Sequence, residues 1–385
     1  QIDLVMMKKL ICFVCIACLF FASCSDDKDK DIARYLIFVT QEKSFSSQDI
    51  QKAYPEIFNN YPFLSSFVKD IRVIAINYWT KDVNNKDVVA SGIIAYPAGE
   101  IKGITSIQHS TLFLKSQAPS LVLLSPEIIP VFFNQIVVMA DYIGFGKTHS
   151  LPHPFMQSSI TGHTCLDMIR AGKEYLTSQG FQLPEEITLA GYSQGGSATL
   201  ALLREMENSS TSPWKVKQVY AGGGVYDFTQ TYQAYLKQNI MSAPAFAPYL
   251  ILGLNTKNEM QLDELFIDPP KIESLYDGQH GLNEINYQLG NRLDAILHPD
   301  FYTAAKNTSI QRLDQLLAAN TLLNWIPEAP ITFMHSPTDD YVPYFNTQKA
   351  FDEFQKRGCN VKLTDLKGDH ATGAINFFIK ILLNN

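Results

Sequence analysis

One serine in this chain stands where it could act as a nucleophile. Ser193 lies in Gly191-Tyr192-Ser193-Gln194-Gly195-Gly196, a G-x-S-x-G pattern that follows the apolar run 187–190 and opens a helix-forming stretch at 195–207. A serine on so sharp a strand-to-helix turn is lifted above the sheet. It then sits at a helix N-terminus, where the dipole favours developing negative charge. Gly and Ser are common enough that the pattern alone recurs by chance in roughly one chain in eight of this length. Its place between an apolar strand and a helix is the stronger signal.

A serine hydroxyl needs a base, and the base needs an orienting acid. Both have candidates late in the chain. The apolar run 331–335 leads into SPTDDYVP, which holds Asp339 and Asp340, and the run 361–366 leads into KGDHATG, which holds His370. Taken singly, His370 reads as an exposed loop histidine and Asp339 as a turn residue. Taken together, all three groups follow the C-terminal ends of apolar runs, where sheets of this kind bind ligands. The developing oxyanion needs two backbone N–H donors. Gln194, directly after the nucleophile, is one. The other is expected from the loop after the run 103–108, His109-Ser110-Thr111, with Thr111 donating.

These groups need a scaffold. Hydrophobic residues make up 46% of the 385 and charged residues 18%, enough for a large core, which excludes wholesale disorder. The formal charge is -7 with no basic stripe, so no nucleic-acid partner is expected. Two β-rich segments, 71–80 and 88–96, flank a polar turn and read as a hairpin. Six short apolar runs, at 103–108, 135–140, 187–190, 216–221, 331–335 and 361–366, read as buried parallel strands. Helical stretches lie near 159–179, 195–207, 348–357 and 373–383. This alternation predicts an α/β fold with a mostly parallel sheet flanked by helices. The exception is 228–330, helical and loop-like, rich in Tyr, Leu, Asn and Gln. A bare loop that long is improbable, so a cap inserted before the acid-bearing strand is expected. The core then falls at 35–227 and 331–385.

The N-terminus reads as an address. Lys8 and Lys9 precede an apolar run, 10–22, that is too short to span a bilayer comfortably and suits a signal peptide over 1–23. Cys12, Cys15 and Cys18 fall inside that run and read as small apolar residues. Cys165 and Cys359 are too few for a disulfide framework. There is no H-E-x-x-H or Walker A motif, and Gly222-Gly223-Gly224 lacks dinucleotide spacing, so no metal or cofactor is expected.

Several segments carry a family resemblance. HSPTDDYVP resembles the acid loop H-G-x-x-D-x-x-V-P of α/β-hydrolases, a match that selects Asp339 over Asp340. His109-Ser110-Thr111 resembles the His-Gly-x loop of these enzymes, with Ser110 replacing the glycine. ADYIGFGKTHSLPHPFM (140–156), Ser91-Gly92 and GGGVYDF (222–228) resemble segments of secretory lipases. Phe21-Ala22-Ser23-Cys24 resembles a bacterial lipoprotein box, and SDDKDKD after it an acidic export tag. The chain is thus similar to bacterial lipoprotein α/β-hydrolases of the secretory lipase/esterase type. The resemblance implies the α/β-hydrolase fold, hydrolysis of a small-molecule ester by Ser193, His370 and Asp339, and lipidation at Cys24. Residues 24–34 would be a tether to the outer membrane. Asp141 and Tyr142 would follow a core strand at the site rim; loop hydrogen bonding is the plainer reading for them, and a structural role for His153-Pro154.

Two other classes compete. G-x-S-x-G-G also resembles the prolyl oligopeptidase type, although no propeller repeat is detectable. A non-catalytic surface-binding lipoprotein would more often have lost the serine or the histidine.

Overall fold

A nine-stranded sheet runs through the computed structural model, which describes residues 34–384. Its strands are β1 (Leu36–Phe45), β2 (Ile71–Lys81), β3 (Asp87–Pro97), β4 (Gly103–Gln108), β5 (Gln135–Ala140), β6 (Glu186–Tyr192), β7 (Lys215–Gly222), β8 (Ile331–His335) and β9 (Val361–Asp365). They lie in the order β1-β2-β3-β5-β4-β6-β7-β8-β9. The pairs from β1 to β5 are antiparallel, and every pair from β5 across to β9 is parallel. Cys24 and the leader expected at 1–23 lie outside the described residues.

The parallel strands read as continuous apolar runs because both sheet faces are covered. In β5, Ile136, Val138 and Ala140 enter one core while Val137 and Met139 enter the other. Helices Ser158–Ser178, Gln194–Asn208 and Phe345–Lys356 cover the first face. The segment Pro126–Phe133 and helix His370–Asn384 cover the second.

All eight strands and four helices expected from the sequence are present, with ends shifted by a few residues. One shift matters. The last helix starts at His370 rather than near 373, so this histidine is the first residue of a helix and is 8% exposed. Strand β1 was not expected. It is an edge strand exposed over most of its length, and two register irregularities against β2 break any alternation.

Between β7 and β8 the chain forms five α-helices, Phe228–Gln238, Phe246–Leu254, Pro269–Leu275, Leu282–Leu289 and Thr308–Asn320, joined by loops that carry short 3-10 helices. This segment belongs to the same compact unit as the sheet. The topology fixes where a site can form. From β4 the chain crosses to β5 on one side, and from β6 it crosses to β7 on the other, although β4 and β6 are neighbours. The loops after β4 and β6 therefore part above the sheet, at the kind of crevice where α/β sheets hold ligands.

Candidate active site

Ser193 follows β6 directly and precedes helix Gln194–Asn208. Its backbone has φ 60 and ψ -123, a strained conformation for a non-glycine residue and typical of an exposed nucleophile turn. The flanking glycines are required by close approach. A Cβ on Gly191 would collide with the Gly195 carbonyl, and one on Gly195 with the Gln108 carbonyl.

Ser193, His370 and Asp339 meet above the sheet. His370 Nε2 lies 2.9 Å from Ser193 Oγ, and His370 Nδ1 lies 2.6 Å from Asp339 Oδ2. A carboxylate only accepts, so Nδ1–H donates to it and the Nε2 lone pair faces the serine. Asp339 is held by several further donors, the Tyr192 hydroxyl the most distant at 3.5 Å. Its Oδ2 also accepts from His335 Nε2 at 3.0 Å, and its Oδ1 accepts from the Tyr341 and Val342 N–H groups at 2.9 and 2.8 Å. Burial pushes this carboxyl up, but the hydrogen bonds from His335 and His370 outweigh it, and Asp339 lies well below the usual carboxylate range. Asp340 is exposed and plays a different part, accepting the His370 backbone N–H at 3.1 Å. The geometry thus separates the two adjacent acids.

The two expected oxyanion donors are unengaged. Among the described residues, neither the Thr111 nor the Gln194 backbone N–H has a protein acceptor, and Thr111 lines the same cavity as Ser193. The Ser110-for-glycine difference is accommodated without strain. Ser110 is absent from the residues with positive φ, its N–H donates to Glu127 Oε1 at 2.7 Å, and its hydroxyl donates to the Tyr192 carbonyl at 3.2 Å. Glu127 carries no motif that could have flagged it.

Asp141 and Tyr142 form a buried brace beneath the site rather than part of its rim. Asp141 accepts from Ser91 Oγ at 2.5 Å, from the Ser120 N–H at 2.8 Å and from the Ser120 hydroxyl. Tyr142, at φ 65, donates to the His109 carbonyl at 3.0 Å and so clamps the loop carrying Thr111. His153 touches the site from behind. Its Nδ1–H donates to the Ile143 carbonyl at 2.6 Å, and its Nε2 accepts from Gln194 Nε2 at 3.0 Å. Burial pushes His153 down to about 3, against the raising effect of the Ile143 hydrogen bond.

That shift carries a pH signature. The imidazole stays neutral in the fold, while an unfolded chain takes up its proton below about pH 6.5. The stability it contributes is full above pH about 6.5. It falls by up to about 1.4 kcal/mol per pH unit as the pH drops towards 3. In urea unfolding, His153→Phe is expected to lose about 1–2 kcal/mol less than the parent protein between pH 7 and pH 5. An equal loss in both proteins would show that another group sets the acid slope.

The cavity against Ser193 has a volume of about 40 Å³ and is lined mainly by Phe155, Met156, Phe228, Tyr235, Phe246 and Leu250. From the segment between β7 and β8, Tyr235, Phe246 and Leu250 reach this lining. Tyr249 and Leu252 line a separate cavity, and Ile251 is wholly buried in the core. None of the lining residues is acidic. Asp263 and Asp268 are exposed, and Glu264 accepts from Thr308 and Ser309 instead. Both Cys165 and Cys359 are free thiols.

No protein-family model matches the chain, and neither does any curated protein sequence. Solved structures do match. A Legionella pneumophila protein assigned as a hydrolase superposes with a TM-score of 0.78 at 24% identity, over 91% of this chain and 97% of its own. The rice cell wall degrading esterase LipA from Xanthomonas oryzae gives 0.75 at 24% identity, over 92% and 96%. Candida antarctica lipase A gives 0.60 at 17% identity, over 88% and 78%. The chain has the α/β-hydrolase fold. Ser193 stands at the strand-to-helix turn after β6, and Asp339 and His370 follow β8 and β9.

Proposed function

We propose that this protein is a serine hydrolase that cleaves small carboxylic esters through an acyl-enzyme. The observation that carries the reading is the relay from Ser193 Oγ to His370 Nε2 at 2.9 Å and from His370 Nδ1 to Asp339 at 2.6 Å. Ser193 Oγ attacks the ester carbonyl carbon as its proton passes to His370 Nε2. The carbonyl oxygen becomes an oxyanion and takes hydrogen bonds from the Gln194 and Thr111 N–H groups. His370 then returns the proton to the departing alcohol oxygen, leaving the acyl group on Ser193. A water molecule repeats the sequence and frees the acid.

The acyl-side cavity supports esters over peptides. An aminopeptidase or dipeptidase needs a carboxylate to hold the substrate's free amine, and this lining is apolar and aromatic with no acid. The cavity is small, and helices Phe228–Gln238 and Phe246–Leu254 supply part of its wall, so a long acyl chain would have to displace them. The test is kcat/KM for p-nitrophenyl acetate, butyrate and octanoate beside a panel of aminoacyl- and dipeptidyl-naphthylamides. Butyrate is expected to exceed octanoate by about tenfold and every amide by more. A faster amide that still requires Ser193 would move the protein to the peptidases. No reaction with a fluorophosphonate probe would favour a non-catalytic binding role.

The lipoprotein box belongs to the same proposal. Cys24 would carry the lipid and hold the enzyme on the outer membrane. Cys24→Ser is expected to release it or leave it unprocessed, read by membrane fractionation and by the mature N-terminus. Wild-type protein found free in the periplasmic fraction would sink this part alone.

A further inference from the structure

A second histidine stands behind the acid, and neither the motif nor the comparisons give it a role. His335 ends β8 and is fully buried, and both of its ring nitrogens are engaged. Nε2 lies 3.0 Å from Asp339 Oδ2, and Nδ1 lies 2.7 Å from Thr347 Oγ1, itself fully buried on helix Phe345–Lys356. The carboxylate can only accept, so Nε2 carries the hydrogen. Nδ1 of the neutral ring then accepts from the Thr347 hydroxyl. The Asp339 side chain, itself without solvent exposure, separates His335 from the reacting atoms. An imidazole placed this deep is costly unless satisfied, and the partners that satisfy it are the proposed triad acid and one threonine.

We propose, on the reading given above of Ser193, His370 and Asp339 as a catalytic set, that His335 is a positioning residue that holds the Asp339 carboxylate in register for His370. Two imidazole N–H groups converge on Oδ2, and two backbone N–H groups hold Oδ1. With all four donors in place the carboxylate cannot turn about its Cβ–Cγ bond without losing hydrogen bonds. The lone pair that receives His370 Nδ1–H then keeps one direction. Removing the His335 donor leaves Oδ2 with His370 and the long 3.5 Å contact from the Tyr192 hydroxyl, and lets the carboxylate rotate. The His370 ring follows, and its Nε2 drifts from Ser193 Oγ. Misplacement of a catalytic group by about 1 Å costs on the order of 100-fold in rate. His335 touches no substrate, so the loss falls on kcat. The four-residue spacing from His335 to Asp339 makes the contact possible, because the turn closed by the Asp339 N–H to Ser336 carbonyl bond at 3.1 Å folds the acid back over the strand end.

The experiment compares His335→Phe, which fills the space without a donor, with His335→Gln, whose amide can donate to Oδ2. Kinetics are measured on p-nitrophenyl butyrate, and thermal midpoints are recorded for both. For His335→Phe, kcat is expected to fall about 10- to 100-fold with KM within about twofold. His335→Gln is expected to recover most of that loss. A His335→Phe enzyme with kcat within about threefold of the parent, or a glutamine variant no better than the phenylalanine one, overturns the proposal. Should His335→Phe fail to fold, the wild-type protein decides. With nitrogen-15 histidine labelling, hydrogen-bonded imidazole N–H resonances are expected downfield of the amides, and the one that persists in His370→Ala but is lost in His335→Gln belongs to His335, which sets it apart from the buried His153 N–H. That resonance is expected to move when a fluorophosphonate modifies Ser193, and a resonance that stays put overturns the proposal. A wild-type protein that neither hydrolyses esters nor reacts with the probe sinks the functional reading itself. An active enzyme indifferent to His335→Phe sinks only this inference.

Discussion

Ser193→Ala is expected to abolish ester hydrolysis, and His370→Ala to come within a few fold of the same floor. Among the described residues, the hydroxyl of Ser193 has one polar partner, His370 Nε2 at 2.9 Å, which is the group placed to take its proton. Alanine removes the attacking atom but keeps the backbone, since it meets the same strain at φ 60 that serine already tolerates. The fold is therefore expected to survive, with thermal midpoints close to the parent's. In His370→Ala the nucleophile remains but keeps its proton. Each single variant is expected to lose about 10³-fold or more in kcat, and the double variant little beyond that, because members of such a set act as a unit. Residual turnover would come from the Gln194 and Thr111 N–H groups and from substrate binding. Retention of a tenth of parental kcat by either variant, with the fold intact, would remove these residues from the chemistry.

Much of this arrangement is legible in the sequence, for a physical reason. Buried parallel strands are apolar on both faces, so β4, β5, β6 and β8 stand out as short runs, while β7 is buried only in its second half and edge strand β9 only partly, and ligands gather past the C-terminal ends. That is why Ser193, Asp339 and His370 could be placed without coordinates. Strand β1 was not legible, because an exposed edge strand carries no face-specific pattern. Nor was the brace. Glu127 reaches the Ser110 N–H across 17 residues, and Asp141 is reached by Ser91 across 50, through side chains of ordinary type in ordinary surroundings. His335 was visible only as a strand-end residue of the acid-loop motif. Its contact with Asp339 depends on how the following turn folds back. The cap was legible as helical and apolar, but which of its side chains face Ser193 depends on how its helices pack, and that has no sequence period.

Asp339→Asn is expected to cost about 10³- to 10⁴-fold in kcat, and Asp340→Asn less than about tenfold. The charge difference alone would not separate adjacent residues so sharply; the hydrogen bonds do. Every group around the Asp339 carboxylate is a donor: His370 Nδ1–H, His335 Nε2–H and, more distantly, the Tyr192 hydroxyl at Oδ2, and the Tyr341 and Val342 N–H groups at Oδ1. An asparagine has one acceptor oxygen and one NH2. With the NH2 towards Tyr341 and Val342, it opposes two fixed backbone donors. With the NH2 towards the histidines, it forces His370 to accept at Nδ1 and carry its hydrogen on Nε2, pointed at Ser193, so the base is lost. Either orientation leaves buried donors unmet, at about 1–3 kcal/mol each, so a lower thermal midpoint is expected as well. Asp340 faces a single donor, the His370 backbone N–H, and an asparagine oxygen can accept it equally well. The comparison needs kcat on p-nitrophenyl butyrate for both variants and one further measurement, the rate of fluorophosphonate reaction at Ser193, which reads nucleophile activation without turnover. Comparable losses in the two variants, or a larger one at Asp340, would reassign the acid.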